Sequence, residues 1–205
     1  MFKISNRLEA GKVLSSLTLG FAADPFMRWL YPEADKFLAN FPRVMDLFGG
    51  RSFENGAAYR NENFSAAALW LPPGMHPDEE GLVACFEETV AAEKLDGLFA
   101  TLEQMDSYHP DEPCWHLAFI AVDPARQGKG LGSALLRESL QQCDMDGRSA
   151  YLESTNQANL SLYKRHGFEQ IGLIEAECTP PLFPMLRPPR KTLHNDLRDT
   201  ETFRR

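Results

Sequence analysis

The chain has 205 residues, 43% of them hydrophobic, and a formal net charge of −8, which suits one domain with one sizeable core. The acidic balance argues against nucleic acid or an anionic membrane as the main partner and is compatible with a cationic amine. No apolar run approaches the ~20 residues of a membrane span, and the opening Met1-Phe2-Lys3-Ile4-Ser5 leads into no apolar signal core, so a soluble cytoplasmic protein is expected.

Leu8, Val13, Leu14 and Leu17 recur at helical spacing and predict a helix over 7–21. Asp24-Pro25 reads as a cap with proline at the first helical position, opening a short helix through Trp29. A further helix starts near Pro32; Pro42 is expected to break or kink it, and Gly49-Gly50 to end it. Segments 52–60 and 64–71 flank Asn61-Glu62-Asn63 and predict a hairpin that stops at Pro72-Pro73-Gly74. Helices follow over 79–93 and 94–106. Beyond them the pattern predicts a strand over 115–122, a helix over 131–143, a strand over 149–153, a helix over 156–165 and a strand over 168–175. The proline-punctuated stretch 178–187 reads as a loop and a final edge strand. Residues 188–205 are charged and read as a loosely held tail after a domain of residues 1–187. Alternating strands and helices argue for an α/β or α+β fold with a mixed sheet.

Cys85, Cys114, Cys143 and Cys178 are scattered and form no metal-ligand spacing, so they read as reduced, buried small hydrophobes. The five histidines, at 76, 109, 116, 166 and 194, form none either, and no metal is expected.

The densest signal is Phe119-Ile-Ala-Val-Asp-Pro-Ala-Arg-Gln-Gly-Lys-Gly-Leu-Gly132, followed by helix-forming Ser133–Leu140. A strand delivers the chain to a turn whose glycines clear side chains from a ligand's path. The helix after it turns unpaired N–H groups and a positive dipole end toward an anion. The nucleoside-triphosphate loop is ruled out because the lysine stands between glycines. The dinucleotide fingerprint is ruled out by spacing, since Gly128, Gly130 and Gly132 alternate. Gln127-Gly-Lys-Gly-Leu-Gly132 does match Gln/Arg-x-x-Gly-x-Gly/Ala at every position. A second segment, Ala150–Phe168, reads as a strand, a loop capped by Asn156, and a helix ending in Leu-Tyr-x-x-x-Gly-Phe with Gly167 at its left-handed end.

Together these motifs resemble the GNAT family of acetyl-CoA-dependent N-acetyltransferases. Ala23–Leu30 and Leu69–Gly74, with Trp115-His116 and Leu152-Glu153-Ser154, are similar to the antibiotic-modifying branch that includes puromycin N-acetyltransferase. The resemblance implies a mostly antiparallel sheet, splayed between two parallel strands and flanked by helices. It also implies acetyl transfer to a primary amine in one ternary complex, with acetyl-CoA as cosubstrate. Gln127, Gly128, Lys129, Gly130, Leu131, Gly132 and Ser133 are then expected to offer backbone N–H groups to the pyrophosphate. Arg126 or Lys129 adds a charge, or is simply a solvated cation. Ile120, Ala121 and Val122 are expected to pair with the pantetheine arm, and Asn156 or Asn159 to bond it. Tyr163 matches the family's general acid, although a tyrosine packed in the core would read the same. Glu153 or His116 is the expected base. Strand alternation puts His116, Ala118, Ile120 and Val122 on one face, so His116 reaches the cleft only if that face does. Trp70, Trp115 and Tyr31 are candidates for the acceptor pocket or for the core. The expected acceptor is a small-molecule amine, with a homodimer left open. A peptide acceptor and a non-catalytic acyl-CoA sensor are the alternatives.

Overall fold

The computed structural model describes residues 2–4 and 7–190. In chain order the elements are β1 (Phe2–Ile4), a 3-10 turn, α1 (Ala10–Gly20), α2 (Pro25–Leu30), α3 (Ala34–Gly49), α4 (Arg51–Glu54), β2 (Ala58–Asn61), β3 (Ala66–Leu71), α5 (Glu79–Thr89) and α6 (Ala92–Tyr108). They continue with β4 (Trp115–Val122), α7 (Leu131–Met145), β5 (Ala150–Ser154), α8 (Leu160–Arg165), β6 (Glu169–Gln170) and β7 (Phe183–Arg187). The strands form one seven-stranded sheet in the order β1-β2-β3-β4-β5-β7-β6, with the neighbours antiparallel except for β4 and β5.

Local chemistry explains most boundaries. Asp24 caps α2 by accepting the N–H groups of Phe26 and Met27, with Pro25 at the first helical position. Asp78 caps α5 through the Gly81 N–H. Of the break or kink expected at Pro42, the break does not occur, and α3 runs through it. Phe37, Phe41, Val44 and Met45 form one buried stripe along that helix, and their burial outweighs the roughly 3 kcal/mol that an interior proline costs. Three further expectations are corrected. The first hairpin segment contains α4 before β2 begins. The strand expected over 168–175 is reduced to β6 and a single bridge from Ile174 to Leu182. The last strand, β7, is not an edge, because it lies between β5 and β6. Residues 191–205 of the expected tail lie outside the described residues. Of the part described, the Arg190 N–H donates to Asp144.

Each face of the sheet carries its own core. One joins α1, α2, α3, α5 and α6 to β3 and β4 around Phe41, Leu69 and Phe119. Phe119 meets the rings of Phe21, Phe41 and Phe48 at centroid distances of 5.8, 6.0 and 5.7 Å. The other packs α7 and α8 on the opposite face around Trp70, Leu135, Leu136, Tyr163 and Phe168.

A bulge alters the simple alternation of β4. Leu69 pairs with Phe119 but Trp70 pairs with Leu117, which leaves Ala118 as an extra residue. Ala118 and Phe119 therefore both pack in the first core, while Trp115, Leu117, Ile120 and Val122 pack in the second. His116, whose ring meets Phe48 at 5.8 Å, is on the first face. The expected alignment of His116 with Ile120 and Val122 fails because the bulge shifts the period by one residue.

Two tight contacts hold the site's frame. Arg187 on β7 is buried, and its guanidinium donates twice to Asp144 at 2.8 Å and once to the carbonyl of His166. Asp144→Ala leaves that cation buried and unpaired and should lower stability by about 3 kcal/mol, read from the urea midpoint at unchanged slope. Burial raises the Asp144 pKa, but the Arg187 and Arg190 contacts together outweigh it and hold the carboxyl below its ordinary value. Its contribution is therefore full above about 3.8, the ordinary value, and is lost as pH falls through the lower folded value. The second contact is at Gly20, where an added Cβ would lie 2.4 Å from the Ala121 Cβ. Gly20→Ala must push α1 off β4 and should cost about 1–3 kcal/mol, visible as a Tm lowered by several degrees.

Candidate active site

The site grows from the one parallel pairing. β4 and β5 pair only at Trp115–Ala150 and His116–Tyr151. Beyond that point β4 follows β3 out to Val122, while β5 follows β7 out to Ser154. The facing edges of Ile120–Val122 and Glu153–Ser154 are left unpaired across a V-shaped gap. Two side-chain contacts span the region. At the apex, His116 Nε2 and Glu153 Oε2 are 2.8 Å apart, and both side chains are less than a tenth exposed. Toward the open end, Thr155 Oγ1 donates to Asp24 Oδ2 at 2.5 Å.

On the α7 side of the gap lies a groove of about 620 Å³. Its walls include Ile120, Ala121, Val122, Gln127, Gly128, Gly130, Leu131, Gly132, Ser133, Asn156, Asn159 and Tyr163, all expected from the sequence. Gly128 and Gly130 have φ of +74° and +78°, a region side chains rarely adopt, and a Cβ on either would point into open space. Gly130 is the N-cap of α7 and supplies no side chain, so the first-turn N–H groups of the helix face the groove uncapped. Arg126 and Lys129 are exposed and do not line the groove. The Gln127 side chain turns back to the Val122 carbonyl at 3.2 Å, and Asn156 Oδ1 caps the next turn through the Ala158 N–H.

The sequence reading missed several groove residues, among them Gly20, Phe21, Asp24 and Arg165. Ser133 Oγ and His166 Nε2 are 2.7 Å apart beside the cradle. Burial, and then the charges of Arg137, Arg165, Arg190 and Arg187, hold the His166 pKa below its ordinary value. His166 thus has arginine charges near it, of which Arg165 also lines the groove, although the chain is acidic as a whole.

The groove passes into a small apolar cavity through Phe21, Ile120, Asn159 and Tyr163, which line both. Tyr163 is buried there. Burial and the nearby negative charge of Asp24 push its phenol well above the ordinary value. Burial likewise raises the Asp24 pKa, against the three hydrogen bonds that lower it. The far wall of this cavity holds Phe48, Leu102, Met105 and Glu153, and these four also line an outer pocket of about 390 Å³. The outer pocket adds His76, His109, His116, Glu79 and Asp106, together with an apolar wall from α5 and α6. The His109 ring is 5.5 Å from His116 and 5.1 Å from Tyr151. Its pKa is lowered, by burial first and by His116 second.

His109 could not be read from its surroundings in sequence, because it follows α6 in an unremarkable loop. Trp70, Trp115 and Tyr31 line none of these spaces and belong to the packing. The Trp115 indole N–H donates to Asp146, and the Tyr31 hydroxyl pairs with Thr89. Cys85, Cys114 and Cys143 are buried as expected, but Cys178 is exposed. Among the described residues, no group of histidine, cysteine or acidic side chains could hold a metal, and no helix is long and apolar enough to cross a membrane.

Known proteins are similar to this chain in sequence or in fold. An uncharacterised N-acetyltransferase of Schizosaccharomyces pombe is 33% identical over 143 residues, which are 62% of this chain and 58% of that protein. The chain thus spans little more than half the length of that relative, and it matches 39% of a Mycobacterium leprae protein. A solved Corynebacterium glutamicum structure, described as histone acetyltransferase HPA2 and related acetyltransferase, is 25% identical. It superimposes with a TM-score of 0.67 over 94% of this chain and 98% of that one. The Drosophila melanogaster polyamine N-acetyltransferase, 15% identical, shares the fold with a TM-score of 0.64 over 92% of this chain and 99% of its own. Residues 51–168 match the Acetyltransferase (GNAT) family, and with more than half its length accounted for in this way the chain belongs to that family of acetyl-CoA-dependent enzymes.

Proposed function

We propose that the protein moves an acetyl group from acetyl-CoA to a primary amine of a small molecule by direct attack in a ternary complex. The observation that carries this reading is the run of three connected spaces, with Tyr163 where the first meets the second and Glu153 where the second meets the third. The pyrophosphate lies on the N–H groups of residues 127–133, and the pantetheine arm pairs with the open edge of Ile120–Val122. The thioester then reaches the central cavity.

An amine with a pKa near ~10 arrives protonated and must lose that proton before it attacks. Glu153, held by His116, accepts the proton. The nitrogen then forms a bond to the thioester carbon, and a backbone N–H of the bulged strand near Ala118 stabilises the developing oxyanion. The C–S bond breaks, and its electron pair goes to sulfur. Tyr163 donates its proton to that thiolate, and the second proton that the nitrogen sheds as the amide forms passes through water to the phenolate and restores it. Burial keeps the phenol protonated until the thiolate forms. The same apolar surroundings raise the basicity of a thiolate formed beside it, so donor and acceptor stay matched. Arg126 and Lys129 act as solvated loop cations in this scheme, and Asn156 acts through its cap.

A peptide acceptor is the second reading, favoured by the histone acetyltransferase description of the C. glutamicum structure. The chemistry is the same. Acetylation of peptides but not of free amines would select it.

Tyr163→Phe should lower kcat by about 10²-fold while leaving the CoA Kd within about twofold, as single-turnover kinetics and calorimetry would show. Glu153→Gln keeps the shape and the His116 contact but cannot take a proton. It should lower kcat/KM by about 10²-fold or more with an unchanged melting curve. Full activity in either variant would remove that residue from the mechanism.

A further inference from the structure

The outer pocket carries information about the acceptor. Among the described residues lining it and the central cavity there is no lysine or arginine. Its charged side chains are Glu79 and Asp106 near the mouth and Glu153 at the floor. Between these acids the wall is apolar, built by Met75, Val83, Phe99, Leu102 and Met105. Met75 and Val83 stay 36% and 41% exposed, so apolar surface is held open to solvent at the mouth. The apolar wall comes mainly from α5 and α6, whose backbone groups are paired within the helices, so that wall offers an arriving peptide no strand edge, and the unpaired edge at Glu153 lies only at the floor.

Resting on the reading that Glu153 faces the attacking amine, we propose that this pocket is the acceptor site and takes a cationic primary amine on an apolar body, without a carboxylate or phosphate. The ammonium is drawn inward between the carboxylates and reaches Glu153, while the body lies on Phe99, Leu102 and Met105. A carboxylate beside the amine would meet Asp106 and Glu79 with no lysine or arginine to answer it. A polyhydroxylated body would set hydroxyls against the apolar wall of Val83, Phe99, Leu102 and Met105, where they find no partners.

The test compares 2-phenylethylamine with phenylalanine, which adds only a carboxylate, and with glucosamine and an unblocked alanine-initiated peptide. Thiol release from acetyl-CoA is followed for each. The expected kcat/KM for phenylethylamine exceeds that for each of the others by about 100-fold. Val83→Lys places a cation at the exposed mouth, away from the reacting groups, and should narrow the phenylethylamine-to-phenylalanine ratio by about tenfold. Faster turnover of phenylalanine, glucosamine or the peptide would overturn the acceptor assignment and leave acetyl transfer intact, as would a ratio unmoved by Val83→Lys. Tight CoA binding with no turnover of any acceptor would overturn both.

Discussion

Everything at this site depends on two parallel strands that pair for only two positions and then part. Each strand has its other edge committed. β3 holds β4 to its end, and β7 holds β5 over five residues. The bulge at Ala118 adds twist to β4 where the separation begins. The result is a pair of unpaired backbone edges inside a folded protein. Such edges are costly unless they face water or a ligand with amides of its own. A splay of this kind suits an extended, amide-bearing cosubstrate.

Opening a sheet puts its stability at risk, and the structure closes the risk with polar contacts. His116 and Glu153 pin the apex, and Asp24 and Thr155 tie the α1–α2 turn to the loop after β5 across 131 residues of sequence. On the β5 side, Arg187 and Asp144 fasten β7 to the end of α7. These groups are largely desolvated, so removing one partner costs far more than the pair is worth as a surface bridge. His116 and Glu153 therefore support the frame and, in the proposed function, also supply the base.

Charge is distributed unevenly along the connected spaces. The groove end has Arg165 and the uncapped first turn of a helix, while the outer end offers three carboxylates and no lysine or arginine among the described residues. In the proposed function an anionic donor and a cationic acceptor enter from opposite ends. The apolar cavity between them is lined by both Tyr163 and Glu153, and an apolar setting strengthens electrostatic interactions.

Much of the donor half was legible in the chain itself. Alternate glycines before a helix, Asn156 as a cap and Gly167 at a helix end are local rules, and the structure follows them at φ +74°, +78° and +92°. The caps of α2 and the span of β4 follow from equally local chemistry. What needed the tertiary structure was every relation set by distant segments. Pro42 stays in a helix because a core built by other helices and the sheet holds its apolar stripe. β7 moves from edge to interior because β6 comes to lie outside it. His116 changes face because one extra residue in β4 shifts the alternation, which no count along the strand could reveal. His109, Asp24 and the acidic pocket mouth come together only when helices far apart in sequence converge. The sequence by itself determined the cradle, because backbone conformation there depends on the residues in place. The acceptor side was decided by tertiary packing, because its walls belong to no single segment of the chain.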